Sequence, residues 1–183
     1  MSNLRVIAGS YRGRRLHAPR GKTTRPTSAR VREALFSILG PLEGARVLDL
    51  YAGSGALGIE ALSRGAESAV FVEHERSAQA CIRQNLDAVG ASERARLLPL
   101  RVSSALGALG SSAFELVLCD PPWDALDGAL ALLAELSARG QLAEGARVVL
   151  EHSARDVEPN VPGLRAYDRR RWGDTAVSFF ALA

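Results

Sequence analysis

The stretch ARVLDLYAGSGALGIEALS, residues 45–63, joins an apolar run to a helical pattern through a glycine-rich turn. Its first part is short, β-rich and nearly all apolar, as expected for a parallel strand covered on both faces. Gly53, Gly55 and Gly58 form a G-x-G-x-x-G pattern, in which glycines let the backbone approach a ligand and the helix N-terminus offers free N–H groups. The stretch therefore predicts a ligand-binding strand-turn-helix unit.

The same rhythm continues along most of the chain. Further strands are predicted in four apolar runs, SAVFVE (68–73), ARLLPL (95–100), FELVLCD (114–120) and ARVVLE (146–151). Helical patterns lie between them, near residues 56–64, 76–89 and 125–138. Regular alternation of strands and helices predicts an α/β fold with a doubly wound, mostly parallel sheet.

The C-terminal segment breaks this rhythm. LRAYDRRRWGDTAVSFFAL, residues 164–182, contains two strand patterns joined at Gly173-Asp174 with no helix between them. Strands separated by a tight turn pair antiparallel, so we expect a C-terminal hairpin at the end of the sheet.

The N-terminal segment carries an unbalanced positive charge. Residues 1–32 contain nine Arg or Lys and no Asp or Glu, whereas the remainder has fourteen basic and twenty acidic residues. Nine uncompensated cations suggest a polyanion as partner, most simply nucleic acid. A solvated basic tail is the alternative, but the cations alternate with apolar residues, which favours an ordered hairpin.

Local patterns describe this segment further. LRVIAG (4–9) and RGRRLHA (12–18) predict two short strands, and Thr27 or Ser28 can cap a helix that Gly40-Pro41 ends. We therefore expect a basic extension, residues 1–40, followed by a second domain, residues 41–183.

Composition excludes several classes of protein. No apolar run approaches the length of a membrane span, and the N-terminus lacks the uninterrupted apolar segment of a signal peptide. Cys81 and Cys119 are far apart and match no metal spacing, which indicates buried thiols in a reducing compartment. We expect a cytoplasmic protein, without a metal site or membrane partner.

Two acidic residues favour one cofactor over another. Glu73 ends the second predicted strand and can accept hydrogen bonds from both hydroxyls of a ribose. Asp49 ends the first, four residues before Gly53, where it would repel a pyrophosphate but attract an ammonium group. S-adenosylmethionine has an ammonium group and no phosphate, so these residues favour it over NAD.

The segment CDPPW, residues 119–123, is an unusual strand exit. A simple turn would use Gly, Asn or Ser, whereas Pro121 and Pro122 fix φ and remove two N–H donors. What remains is an acceptor surface beside an aromatic ring, which suits a planar group bearing an amine. Ligands of open α/β sheets bind at the carboxyl ends of the strands, so we expect this segment to face the methyl donor.

The chemistry predicted for this segment is methylation of an exocyclic nucleobase amine. The Asp120 carboxylate and the Pro121 carbonyl would each accept one N–H and orient the nitrogen, while Trp123 stacks on the base. Methylation of a pyrimidine carbon would need a cysteine nucleophile. Cys119 points away from Asp120 by strand alternation, so it is predicted to be a core thiol.

These motifs together resemble the RsmD family, the bacterial 16S ribosomal RNA guanine-N2 methyltransferases. The resemblance covers essentially the whole chain. It rests on LRVIAGSYRGRRL (4–16), TRPTSARVREALFSIL (24–39), LDLYAGSGALGIEALSRGA (48–66), FVEHE (71–75), CDPPW (119–123) and WGDTAVSFF (172–180). It implies a Rossmann-like class I methyltransferase with a seven-stranded sheet, S-adenosylmethionine as donor, and guanine 966 in an assembling 30S subunit as target. We expect a monomer.

Three sets of candidate residues follow. The catalytic set is Asp120, Pro121, Pro122 and Trp123. The donor-binding set is Asp49, Tyr51, Ala52, Gly53, Ser54, Gly55, Gly58, Glu73, His74, Val102 and Asp120. The RNA-binding set is Arg5, Tyr11, Arg12, Arg14, Arg15, Arg25, Arg30 and Arg32. Arg169, Arg170, Arg171 and Trp172 form a second basic-aromatic cluster, which a strand with a solvated basic face explains equally well.

The chain departs from the family pattern at two positions. Ala29 stands where the family usually has an acid, and Arg101 stands where an Asn or Asp often receives the adenine amine. Arginine cannot accept that hydrogen bond, so we expect the backbone of Val102 to hold adenine.

Other functions stay open on the residues alone. A DNA amino-methylase normally needs a separate recognition domain, and a protein glutamine methylase would not need the N-terminal cations. An NAD-dependent oxidoreductase is disfavoured by Asp49 and by the absence of a placed catalytic Tyr-Lys or His. A non-catalytic RNA-binding or assembly factor is disfavoured because the segment from Asp120 to Trp123 is intact.

Overall fold

The computed structural model describes residues 4–19 and 28–183, which form one seven-stranded sheet with helices on both faces. The helices are α1 (Ala29–Leu39), α2 (Ala56–Ser63), α3 (Arg76–Val89), α4 (Val102–Leu109) and α5 (Leu126–Ala138). The strands are β1 (Arg46–Leu50), β2 (Ser68–Val72), β3 (Ala95–Leu98), β4 (Phe114–Cys119), β5 (Leu142–Ser153), β6 (Leu164–Trp172) and β7 (Thr175–Leu182).

The strand order is β3-β2-β1-β4-β5-β7-β6. Strands β1 to β5 are parallel, and β7 and β6 add the antiparallel C-terminal hairpin. The predicted α/β class, the seven strands and the hairpin are therefore confirmed. We call the edge at which β1 to β5 end the carboxyl edge. Strands β2 and β3 are added on one side of β1, and β4 is added on its other side. This reversal point between β1 and β4 is where α/β proteins bind their ligands.

Two hydrophobic clusters lie on the two faces of the sheet. One face, which we call the extension face, packs Val47, Phe71 and Leu118 of the sheet against Leu4 and Leu35 of the N-terminal segment. The opposite face packs side chains of the alternate strand positions against α4 and α5. The extension therefore shares a core with the sheet, and its treatment as a separate domain, residues 1–40, stays a prediction.

The N-terminal segment is less regular than predicted. The two expected strands form a single bridge between Arg5 and Arg15, with further backbone bonds from Val6 N to Arg14 O and from Leu16 N to Leu4 O, at 3.0 and 2.9 Å. The segment is stabilised by burial of its apolar side chains against the sheet, so a long ladder is not required. Ser28 caps α1 as predicted, through a bond from Val31 N to Ser28 Oγ; Thr27 lies outside the described residues.

Among the described residues, no helix is both long enough and apolar enough to cross a bilayer.

Candidate active site

The glycine loop has the backbone conformation that its residues predict. Gly53 and Gly55 have φ of 56° and 75°, and Gly55 is the N-cap of α2. Tyr51, directly after β1, is the only described non-glycine residue with positive φ, at 58°. A bulky residue in this region is strained, and such strain concentrates where a ligand is held. The loop therefore exposes backbone groups at the carboxyl edge.

Asp49 holds this loop from below. Its side chain is 1% exposed, and Oδ2 accepts the Gly58 N–H at 2.9 Å. Burial raises the pKa of Asp49 well above its usual range, opposed by the Gly58 bond and reinforced by the nearby charges of Asp120 and Glu73. The bond from Gly58 means that Asp49 supports the loop, and its predicted contact with the ammonium group of the donor stays a prediction.

Glu73 directly follows β2, in the position expected for a ribose acceptor. Its side chain is buried, with Oε2 accepting the Gly53 N–H at 2.9 Å and Oε1 accepting the Glu75 N–H at 2.8 Å. His74 Nδ1 lies 3.5 Å from Oε1. Each carboxylate oxygen has a second acceptor position, so the residue can hold the loop and a hydroxyl together.

Asn85, a residue that sequence analysis missed, also holds the loop. It is fully buried in α3, and its Nδ2 donates to the carbonyl of Ser54 at 2.9 Å and to that of His17 at 3.0 Å. Its Oδ1 accepts the His17 N–H at 2.7 Å. One amide therefore joins the glycine loop to the N-terminal segment. A single polar residue on a helix gives no sequence pattern, so nothing in the sequence marked it.

A cavity of about 190 Å³ opens beside the loop at the carboxyl edge. Its lining comes from the segments that follow β1, β2 and β3, from the start of α4 and from α5. The lining residues are Tyr51, His74, Arg101, Val102, Ser103 and Gly128. An aromatic side chain and polar groups thus surround the cavity, and Glu73 directly precedes His74 of its lining. Val102 is buried and begins α4, whereas Arg101 is exposed.

The four predicted catalytic residues follow β4 at the reversal point of the sheet. Asp120 is half-buried, and its N–H lies 3.5 Å from the carbonyl of Leu50, the last residue of β1. Pro121 is buried and Pro122 exposed, while the Trp123 side chain is 60% exposed. An exposed indole beside a carboxylate is available for stacking on a planar ligand.

Cys119 is a core thiol, as predicted. It is 2% exposed on the face opposite Asp120, and burial raises its pKa well above the usual range, with the charges of Asp120 and Asp49 adding to the shift. A protonated buried thiol is a poor nucleophile. The residue therefore has no role in attack on a base.

The C-terminal half of α2 holds the N-terminal segment. Glu60 is fully buried and accepts the N–H groups of Ile7 and Ala8 at 2.8 and 3.0 Å, as well as Arg64 Nε at 2.8 Å. Four further bonds join the segment to Ser63. They are Tyr11 N to Ser63 Oγ at 2.9 Å, Ser10 N and Ser10 Oγ to Ser63 O at 2.8 and 3.3 Å, and Ser63 Oγ to Ala8 O at 2.5 Å. The helix that begins at the glycine loop thus ends at the basic segment.

The predicted RNA-binding residues divide into exposed and buried ones. Arg12, Arg14, Arg15 and Arg30 are exposed, and Arg25 lies outside the described residues. Arg5 donates from Nη1 to the carbonyl of Gly13 at 2.9 Å. Tyr11 is half-buried; its hydroxyl bonds to Arg94, whose guanidinium lies 5.7 Å from the ring centre.

Arg32 was predicted to bind RNA, but it is buried. It is 1% exposed, and its Nη2 donates to the carbonyl of Arg5 at 2.9 Å. Its Nε and Nη1 have no hydrogen-bond partner, and burial lowers its pKa, an effect that the charge of Glu60 opposes. A guanidinium in this position cannot reach a phosphate outside the protein. Helical periodicity accounts for the change, because Arg32 lies beside Val31, Leu35 and Phe36 on the inner side of α1.

The fold and this site define a class: a Rossmann-like class I methyltransferase that uses S-adenosylmethionine. A solved methyltransferase in complex with SAH, SMU.776, has the same fold, with a TM-score of 0.64 at 16% identity over 83% of this chain and 48% of that one. The yhhF protein of Escherichia coli is closer, with a TM-score of 0.85, 35% identity and 97% coverage of both chains.

Comparison of sequences identifies the family. The family model described as Conserved hypothetical protein 95 matches residues 4–181, and the chain belongs to this family, that of RsmD. Ribosomal RNA small subunit methyltransferase D of Escherichia coli (strain K12) is 38% identical over 171 residues, 92% of this chain and 84% of that protein. YlbH of Bacillus subtilis (strain 168) is 37% identical over 182 residues, 97% of this chain and 98% of that protein.

Proposed function

We propose that the protein transfers a methyl group from S-adenosylmethionine to the exocyclic N2 amine of guanine 966 in 16S ribosomal RNA, acting as a monomer on an assembling 30S subunit. The observation that carries the proposal is the position of Asp120. It follows β4 at the reversal point of the sheet, beside the end of β1, from which the glycine loop begins. A relative at 38% identity is named as a small-subunit ribosomal RNA methyltransferase, which supports the RNA target.

The cofactor supplies an electrophilic methyl group on a sulfonium. The protein's part is to position the acceptor, because the lone pair of a guanine amine is delocalised into the ring. The Asp120 carboxylate accepts one N–H and the Pro121 carbonyl accepts the other, which orients the nitrogen for in-line approach. Trp123 stacks on the base through its exposed face. Asp120 need not be a strong base, since the amine proton becomes acidic only after transfer.

The donor would be held on the side of the reversal point formed by β1, β2 and β3. Glu73 would accept hydrogen bonds from the ribose hydroxyls, the backbone of residues 51–55 would hold the amino-acid portion, and Val102 would hold adenine. Asp49 acts through Gly58 by keeping the loop in place. His74 borders the cavity beside Glu73 and completes its rim.

The basic segment would hold RNA outside this site. A guanine must leave its stack to reach Asp120, which costs a few kcal/mol. Phosphate contacts from the exposed arginines of the extension offset that cost. Docking of the segment on α2 through Glu60 and Ser63 fixes these cations relative to the glycine loop.

Mass mapping of methylated nucleotides tests this proposal. Ribosomal RNA from a strain lacking the protein should lose one methyl group from one small-subunit guanine, and the wild-type gene should restore it. An unchanged small-subunit RNA, or loss of a methyl group from an adenine, contradicts the assignment. Labelled methyl transfer to naked 16S RNA and to immature 30S particles then shows which substrate is preferred.

A further inference from the structure

The basic cluster of residues 169–172 lies at the same edge of the sheet as the catalytic segment. In the strand order, β4, β5, β7 and β6 are successive neighbours. Cys119 pairs with Leu150, Leu150 pairs with Ser178, and Ser178 pairs with Arg169. In the row one residue further along, Glu151 pairs with Val177 and Val177 with Arg170, and Asp120 directly follows Cys119. Arg170 is thus level with Asp120, three strands away, or about 14 Å at the usual strand spacing.

A bulge at Tyr167 decides which face Arg170 occupies. Ala166 pairs with Phe180 and Asp168 with Phe179, so the register shifts by one residue between them. Phe180 belongs to the cluster on the opposite face and Phe179 to that on the extension face. Without the shift, Arg170 would follow Ala166 onto the opposite face.

The bulge therefore turns Arg170 and Trp172 toward the face that Asp120 occupies. Asp120 is on the extension face because Cys119, its neighbour, is buried on the other. Arg170 pairs with Val177, and Trp172 packs against the cluster of the extension face. Bulges beside active sites commonly re-aim side chains in this way.

Asp168 orients the side chain of Arg170. Its Oδ2 accepts Arg170 Nε at 3.0 Å and its Oδ1 accepts the Arg169 N–H at 2.8 Å. The Arg170 side chain is 56% exposed. A guanidinium has five N–H donors, so one bond at Nε leaves the terminal nitrogens available. A planar fork presented in this way matches a phosphate.

We propose that Arg170 binds an RNA phosphate a few nucleotides from the target base, so that substrate RNA crosses the carboxyl edge from the extension to the β6–β7 hairpin. This inference rests on the proposed function. It assigns a role to one residue of the second basic cluster and separates it from Arg171, which pairs with Ala176 and lies on the opposite face. Trp172 packs against the hydrophobic cluster of the extension face and so stabilises β6, the strand that carries Arg170.

Charge reversal of single arginines tests the assignment. Arg170→Glu should weaken binding to a 16S ribosomal RNA transcript about fivefold or more at 0.1 M salt and reduce the log–log salt slope by about 0.7, the loss of one phosphate contact. Arg139→Glu is the distant control, since Arg139 is an exposed, ion-paired arginine directly after α5 at the other end of the sheet. Arg171→Glu is the local control for a general loss of positive charge.

The outcomes separate this inference from the proposed function. A wild-type protein that methylates 16S RNA, with Arg170→Glu binding as Arg139→Glu or Arg171→Glu does, overturns the phosphate contact alone. A wild-type protein that neither binds nor methylates the RNA overturns the proposed function and the contact with it. A selective defect of Arg170→Glu, with binding of S-adenosylhomocysteine and melting temperature unchanged, supports the contact.

Discussion

The side-chain amide of Asn85 donates to the carbonyl of Ser54 at 2.9 Å and so joins α3 to the centre of the glycine loop. The same amide pairs with both backbone groups of His17. Asn85 is fully buried, so its side chain depends on these protein partners for its hydrogen bonds. The glycine loop and the N-terminal segment are therefore both hydrogen-bonded to the same buried side chain.

Replacement of Asn85 should affect both the glycine loop and the N-terminal segment. Asn85→Ala leaves the Ser54 carbonyl and the His17 N–H without this partner, whereas the His17 carbonyl keeps the Cys81 thiol, so the cost is about 2 kcal/mol. At about 2–4 °C per kcal/mol, the melting temperature should fall by about 4–8 °C. Affinity for S-adenosylhomocysteine, measured by calorimetry, should fall about tenfold, since the loop loses a fixed carbonyl.

Cys81 provides the matched control for this prediction. Its Sγ donates to the same His17 carbonyl at 3.0 Å and makes no bond to the loop. Cys81→Ala should lower the melting temperature less and leave affinity for S-adenosylhomocysteine unchanged. Equal loss of affinity in both variants would show that the effect of Asn85 is global destabilisation.

Two glycines of the basic segment separate steric contact from backbone strain. Gly9 and Gly13 have φ of 83° and 80°, so alanine is similarly strained at both positions. A Cβ at Gly9 would lie 1.8 Å from the Ser63 carbonyl oxygen, whereas a Cβ at Gly13 meets nothing within 4 Å. Gly9→Ala should therefore displace the segment from α2 and weaken binding to 16S RNA about tenfold more than Gly13→Ala does. Similar RNA affinities for the two variants would contradict the docking role of Ser63.

Glu60 should matter more than an exposed carboxylate. Glu60→Gln keeps the shape of the side chain but replaces one of the two oxygens that accept the Ile7 and Ala8 N–H groups with an amide nitrogen, and it removes the charge that opposes the effect of burial on Arg32. Leaving a buried backbone donor without an acceptor costs about 1–3 kcal/mol, so the melting temperature should fall by about 2–12 °C. Glu135→Gln removes the surface partner of Arg139 and should lower the melting temperature by about 1 °C or less. Comparable shifts in thermal unfolding would contradict the role assigned to Glu60.

Asp49 should make stability depend on pH. Burial raises its pKa in the folded protein well above the ordinary value of 3.8, so the folded state binds a proton more tightly than the unfolded state. Its contribution to the free energy of unfolding therefore falls as pH rises from about 3.8 through the folded pKa, by up to 1.36 kcal/mol per unit. Asp49→Asn should remove this component. The measurement is urea unfolding of the wild type and the variant over a series of pH values, and the component is the difference between their free energies of unfolding. Parallel curves for the two proteins would show that the carboxyl does not titrate abnormally.

Much of the sheet could be predicted because its signals are local. The strand before the glycine turn and the four further apolar runs predicted β1 to β5, and the long patterns predicted α2, α3 and α5. Helix α4 was not predicted. Its apolar positions, Val102, Ala105, Leu106 and Leu109, have helical spacing, but Ser and Gly lower the helix propensity between them.

The site was less predictable because it depends on contacts between distant residues. Asp120 and Trp123 follow a strand, so topology placed them correctly. Glu60 and Asn85 contact residues 52–53 and 68 positions away, and no sequence period records such bonds. The bulge at Tyr167 is also invisible in the sequence, which is why one strand of arginines could not be assigned to a face.

Single-turnover methyl transfer by Asp120→Ala tests the central claim most directly. With S-adenosylmethionine carrying a labelled methyl group and immature 30S particles as acceptor, the variant should transfer about a thousandfold more slowly than wild type. Its affinity for 16S RNA should remain close to wild type, because Asp120 acts on the amine. Transfer at a near wild-type rate, with both ligands bound normally, would contradict the account.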